Sequence, residues 1–404
     1  MKTVNTKRAA AWAAVLLALA AYTGVMYWLH WQQLCAADGF SSDLPFHLQE
    51  ALYEPVYTAL YLFITPLYAL GGKAGVALLV TAFQLAALAA FAWGLRGAAP
   101  GLSLPVRLLI SLVVNLAQAV WIPRGGYWYL GTVSGTVYHN TTYIALAPFA
   151  MLAMLCFYRA WRGMHGKLDA RAWLVYTLFL TASTAFKANF VFAFAPALLL
   201  LLIADLVHTR GKNLCNEVIL GCSVLPSIAL CLLESLVLFT GEGNGVQLIF
   251  SVDPVNFENG VISWGFFNEA TRRGLIRSFL FAGAAALLLG RLAWASFRYR
   301  FSALTFAVAM AEALLLVESG ERVGHANFWW GAFICYWLFF LESVCALLRG
   351  WQAWRQNRAA LLGGRLAVCT AALAWHIVSG VCFLVLLLQG NSYNIPIATW
   401  KLWF

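Results

Sequence analysis

Apolar positions in this chain neither alternate nor form a narrow helical stripe; they continue, in runs of about 20 residues, the length a helix needs to cross the hydrocarbon of a bilayer. Such runs predict spans near 10–30, 74–95, 105–122, 141–160, 172–187, 190–207, 217–240, 276–297, 301–318, 329–348 and 366–389. The fold class this predicts is all-α, a polytopic helical bundle forming a single membrane domain over 1–404. It begins with a first helix over 1–30 and an outer loop over 31–73 carrying interfacial helices. The remaining helices follow over 74–389, then a tail over 390–404. Tyr53 to Gly72 is apolar and aromatic but is interrupted by Pro55 and Pro66 and bracketed by Glu54 and Lys73, so it suits either a span or a segment lying in the interface.

Charge decides between those two readings, because loops on the cytoplasmic side carry the excess of Lys and Arg. With Tyr53–Gly72 kept at the outer surface, eleven spans remain. Of the 26 basic residues, 18 then fall inside, leaving Lys73, Arg124, Lys187, Arg272, Arg273, Arg277, Arg322 and Lys401 outside. The N-terminus is then cytoplasmic and the C-terminus external. Lys2, Lys7 and Arg8 precede the first run and no A-x-A-type cleavage site follows it, so that helix is expected to stay attached. The outer segments 31–73, 123–140, 241–275 and 318–328 are the longer ones and mix acids, bases, aromatics, Asn and His.

Composition agrees. With 62% hydrophobic and 10% charged residues the chain has too little polar surface to be covered by water. Its net charge of +10 is spread among loops and forms no stripe for nucleic acid. There is no C-x-x-C or His/Cys cluster for structural zinc and no Walker-type phosphate loop. A bacterial inner (cytoplasmic) membrane is the expected location, and the lipid bilayer the first partner.

Candidate chemistry begins directly after the first run, in Ser41-Ser42-Asp43-Leu44-Pro45-Phe46-His47-Leu48-Gln49-Glu50. Ser41 or Ser42 can cap a short helix with Pro45 in its first turn, and Asp43, His47 and Glu50 then share a face. A carboxylate and an imidazole held at a membrane surface suit acid/base work, or a divalent Mg or Mn ion on Asp43 and His47. The same residues also suit an interfacial amphipathic helix with a solvated polar face. A second stretch holds Arg124 and Tyr127 and runs on to His139 and Asn140. Its glycines admit close approach and its aromatics suit either a sugar ring or the interfacial belt. Third are the outer cations. Lys187 lies between two spans with almost no loop and needs a partner, while Arg272, Arg273 and Arg322 break the positive-inside trend, as phosphate clamps would. Pairing with Glu269, Glu318 or Glu321 explains each of them equally well. Within the spans, Glu234, Glu312, Glu342 and His376 are ionisable groups of the kind that ion or proton pathways use.

This arrangement resembles the membrane glycosyltransferases of the GT-C fold, which use polyprenyl-phosphate-linked sugars. The resemblance rests on the first span, the long first outer loop with Asp43 early in it, an interfacial segment before span two, and cationic outer loops. It implies that Asp43 serves as base or metal ligand, that the outer cations bind the donor phosphate, and that the acceptor is a glycan, lipid or cell-surface polymer. Many members carry an acidic doublet in that loop, whereas this chain has Ser42-Asp43-Leu44. Two other readings stay open: a polysaccharide polymerase of the O-antigen type and a membrane transporter or flippase.

Overall fold

Backbone that meets no water must pair with itself, so the apolar runs become helices. The computed structural model describes residues 2–54, 58–97, 101–122, 132–237, 246–248, 255–257, 260–262, 269–318 and 327–395. Its helices are α1 (Lys2–Cys35), α2 (Leu44–Tyr53), α3 (Tyr61–Leu95), α4 (Leu104–Val114), α5 (Thr141–Trp161), α6 (Ala170–Phe186) and α7 (Asn189–Thr209). They continue with α8 (Leu214–Cys222), α9 (Leu225–Val237), α10 (Glu269–Leu288), α11 (Arg291–Trp294), α12 (Phe297–Leu315), α13 (Phe328–Asn357) and α14 (Ala360–Leu388). Two short antiparallel pairs join β1 (Val246–Leu248) to β4 (Leu316–Glu318) and β2 (Val255–Phe257) to β3 (Gly260–Ile262).

Seven stretches among the described residues are long and apolar enough to cross a membrane: Ala9–Cys35, Tyr61–Leu95, Thr141–Trp161, Asn189–Thr209, Leu214–Leu236, Phe328–Asn357 and Ala360–Leu388. The protein is therefore an α-helical membrane bundle. Burial sorts these helices into layers. The apolar part of α13 is 94% buried, which makes it the central helix, whereas that of α1 is 17% buried, which leaves it at the lipid boundary.

α3 is two helices in one. Gly72 sits at φ 58° and ψ −148°, a conformation open to glycine, and the chain bends there. Just before the helix, the Thr58 hydroxyl donates to the carbonyl of Phe186 at the end of α6 (2.9 Å). Just after the bend, Lys73 Nζ donates to the carbonyl of Leu34 at the end of α1 (2.7 Å). Residues 61–71 thus start and finish at one face of the bundle, and only the stretch after Gly72 runs through it.

The expected span 105–122 is only half helical. α4 ends at Val114, and residues 115–122 continue as irregular chain buried against α10, α13 and α14. Several of its polar groups find partners inside the bundle, as buried backbone requires. Gln118 N–H donates to the carbonyl of His376 and Val120 N–H to that of Arg277, while Trp121 N–H donates to Ser379 Oγ. His376 Nδ1 faces the carbonyl of Gln118 at 2.6 Å and its Nε2 accepts from Phe281 N–H, so the ring carries its proton on Nδ1. His376 is thereby a splint for irregular backbone. Gly380 makes the approach feasible, since a Cβ there would lie 1.6 Å from the carbonyl oxygen of Leu116. Gly380→Ala is therefore expected to cost at least about 1–3 kcal/mol, the usual overpacking range, because the obstacle is backbone and cannot rotate away. A thermal melt of the detergent-purified variant checks this, and an unchanged midpoint would refute it.

A candidate active site at the end of the bundle

Asp43 does not ride on the face of α2; it is the residue that starts it. The cap expected at Ser41 or Ser42 therefore moves, with Ser42 Oγ accepting from Leu44 N–H (3.2 Å) and Asp43 itself at the N-cap. Its backbone N–H donates to the carbonyl of His139 (2.9 Å), which fixes the first loop against the segment entering α5. Asn140 caps α5: its Oδ1 accepts from Tyr143 N–H (2.9 Å), as the side chain of a good N-cap residue does. With its oxygen so committed, the amide must turn its NH2 outward, and Asn140 Nδ2 donates to Asp43 Oδ2 at 2.6 Å.

Lys187 completes the group. It ends α6 in extended conformation, and its Nζ donates to Thr142 Oγ1 (3.3 Å), which in turn donates to Asn140 Oδ1 (3.1 Å). An unbroken relay therefore joins the ammonium to the carboxylate through Thr142 and Asn140. The ammonium also lies 5.5 Å from the centre of the Trp330 ring, within cation–π range. The Lys187 turn is held by its neighbours: Asn189 Nδ2 donates to the carbonyl of Asn327 (2.6 Å) and Asn327 Nδ2 to Glu318 Oε2 (2.5 Å).

Electrostatics follow from this crowding. Burial lowers Lys187 to about 8, with Asp43 and Glu318 opposing that shift. Burial, aided by Lys187, lowers His47 to about 4 and His139 to about 3. Both imidazoles are neutral near pH 7, which leaves Lys187 as the cation among these three. His47 is also turned away from solvent, hydrogen-bonded through Nδ1 to the Tyr61 hydroxyl (3.2 Å). Over the other side folds the chain after α14. Phe40 N–H donates to the carbonyl of Gly390, and the Tyr393 ring stacks on His139 with centroids 3.8 Å apart. Burial, aided by Asp43, raises the Tyr393 phenol.

The structure thus gathers Asp43, His47, His139, Asn140 and Lys187 from three separate stretches. Glu50 is half-buried on α2, and its carbonyl accepts the N–H of Glu54. Arg272 and Arg273 stand exposed at the start of α10. Arg124, Tyr127 and Arg322 lie outside the described residues. No set of three or more His, Cys, Asp or Glu side chains is arranged to hold a metal among the described residues. At the pair expected to hold an ion, Asp43 and His47, the Nδ1 of His47 is engaged by Tyr61 and the Lys187 ammonium is near enough to lower the imidazole further.

Glu318 is among the partners expected for the outer cations, and it acts on Lys187 here; sequence reasoning missed Thr142, Trp330, Asn327 and Tyr393. Asn140-Thr141-Thr142 before an apolar run was a legible N-cap signal; the others are far apart in sequence and carried none. Of the four intramembrane ionisable groups, His376 is the splint described above. Glu342 takes two hydrogen bonds from Arg298, whose Nη2 also donates to the carbonyl of Gly94 (3.2 Å). Glu234 and Glu312 sit half-buried on α9 and α12.

Comparisons of the chain with protein-family models, with curated proteins and with solved structures return no match.

Proposed function

We propose that the chain is an integral membrane glycosyltransferase of GT-C type, moving a sugar from a polyprenyl-phosphate donor to a glycan, lipid or polymer acceptor. On this reading it has eleven spans, a cytoplasmic N-terminus and an external C-terminus, and it works on the non-cytoplasmic face of a bacterial inner membrane. The observation that carries the proposal is the relay from Lys187 through Thr142 and Asn140 to Asp43, a fixed cation and carboxylate at the end of an apolar bundle.

A polyprenyl-phosphate sugar brings its own leaving group, so the transfer needs a base and a countercharge. The acceptor oxygen attacks the anomeric carbon as Asp43 takes its proton, and the bond from that carbon to the phosphate oxygen breaks. The departing polyprenyl phosphate keeps the electron pair, and Lys187 balances the charge that develops on it. Since Lys187 supplies positive charge where an ion would otherwise stand, the reading needs no divalent metal. Two of the four groups that a transporter would use inside the membrane, Glu342 and His376, are tied into structural bonds, which favours a transferase.

The test is transfer of radiolabelled sugar from a panel of polyprenyl-phosphate sugars to membrane extracts. Transfer from one donor is the expected result, and none from any donor, with acceptor present, overturns the reading. Its pH profile is informative as well. Burial holds Lys187 near 8, well under an ordinary lysine, so its charge is complete below that value and is lost as pH rises through it. kcat/KM, which reports groups of the free enzyme, should therefore fall above about pH 8. A rate flat to pH 10 would remove the ammonium from the mechanism.

A further inference from the structure

Behind His139 the irregular chain 115–122 and the returning chain 132–139 run side by side inside the bundle. Thr136 Oγ1 donates to the carbonyl of Asn115 (2.5 Å) and Gln118 Nε2 to the carbonyl of Thr136 (2.7 Å). Between them is a narrow slot whose lining includes Gln118, Thr132, Ser134 and Thr136 as well as Phe333 and Phe383. It has room for about one water-sized group. Irregular backbone at such depth belongs where it lines a polar cavity.

The slot asks for a hydrogen-bond donor. Gln118 is only 5% exposed and uses its NH2 on Thr136, and among the described residues its Oε1 accepts no hydrogen bond. Ser134 Oγ makes its three contacts, toward the carbonyls of Ala117 and Thr136 and from the N–H of Thr136, all at 3.4 Å, near the long limit of hydrogen bonding. An acceptor that faces a slot this narrow is matched best by a group that brings an O–H or N–H. Its position is set by α13: Phe333 in the slot and Trp330 beneath Lys187 are one turn apart on one helix face, about 4.5 Å of rise. A sugar whose phosphate rests at Lys187 spans that distance with its ring.

We propose that this slot receives the exocyclic hydroxymethyl group of the donor hexose, with Gln118 and Ser134 as the residues that select it. The inference rests on the glycosyltransfer reading and narrows its donor to hexoses bearing a primary hydroxyl. Only a group of that size enters, and its hydroxyl donates to Gln118 Oε1. A pentose of the same ring stereochemistry leaves the slot to water.

The experiment compares donors that differ by that group alone, such as undecaprenyl-phosphate glucose with undecaprenyl-phosphate xylose, and galactose with arabinopyranose. It uses full-length protein in detergent with membrane-extract acceptor. The wild type is expected to use one hexose at least tenfold better in kcat/KM than its matching pentose. Ser134→Val, which fills the slot, should bring that ratio near one by slowing the hexose alone, and the retained pentose transfer shows the variant is folded. A wild-type ratio near one overturns the inference while leaving the transferase reading intact, and so does a variant that slows both sugars alike. Absence of transfer from every donor overturns both.

Discussion

Asp43→Asn is expected to reduce sugar transfer by about 10²- to 10⁴-fold, the contribution typical of a positioned general base. The substitution is chosen because it removes the charge and leaves the shape. Asparagine's carbonyl can still accept from Asn140 Nδ2, and the backbone N–H of residue 43 can still donate to the carbonyl of His139, so α2 keeps its start. What disappears is the capacity to take a proton from the acceptor. Loss of kcat with little change in donor KM would mark a group that acts on the acceptor in the transition state. The matching variant Lys187→Met should raise donor KM as well, because it removes the countercharge that holds phosphate. Equal transfer by wild type and Asp43→Asn, at equal expression, would take Asp43 out of the mechanism.

The largest expected effect on stability lies at the other end of the bundle. Arg298 donates to Glu342 through Nε and Nη2, reaches the carbonyl of Gly94 on α3, and lies over the Tyr158 ring of α5 at 5.1 Å. Four helices meet at this pair, and Glu342 is only 1% exposed. Glu342→Ala leaves a guanidinium buried without its carboxylate, which typically costs about 3–5 kcal/mol. The double variant Arg298→Met with Glu342→Leu removes both charges and restores apolar volume, so it should recover most of that loss. Thermal denaturation in detergent of the two single variants and the double supplies the cycle. A single variant that melts with the wild type would show that the pair is not a clamp.

Much of the architecture was legible because lipid leaves the backbone so few options. The apolar run at 329–348 became α13 over Phe328–Asn357, and the run at 141–160 became α5 over Thr141–Trp161. The run at 105–122 misled for an identifiable reason. Apolar composition reports burial and not conformation, and the irregular half beyond Val114 is buried as thoroughly as a helix would be, with its hydrogen bonds taken by His376, Arg277 and Ser379. Nothing local announces partners that lie more than 150 residues away.

The candidate site divides in the same way. Asp43, His47, Asn140 and Lys187 drew attention singly, as polar residues in places where polarity is expensive. That Asn140 joins Asp43 to Lys187 follows from its duty as the cap of α5, which commits its oxygen to Tyr143 and turns its nitrogen toward the carboxylate. Asp43 could not be recognised as the N-cap of α2 from Ser41-Ser42-Asp43, where three good cap residues stand in a row. By itself the sequence determined that this is a helical membrane bundle, because apolar length is a property of the chain alone. Which of its polar side chains meet was decided only by tertiary structure, because the distances that join residues 43, 140, 187 and 393 depend on how helix ends are brought together in space.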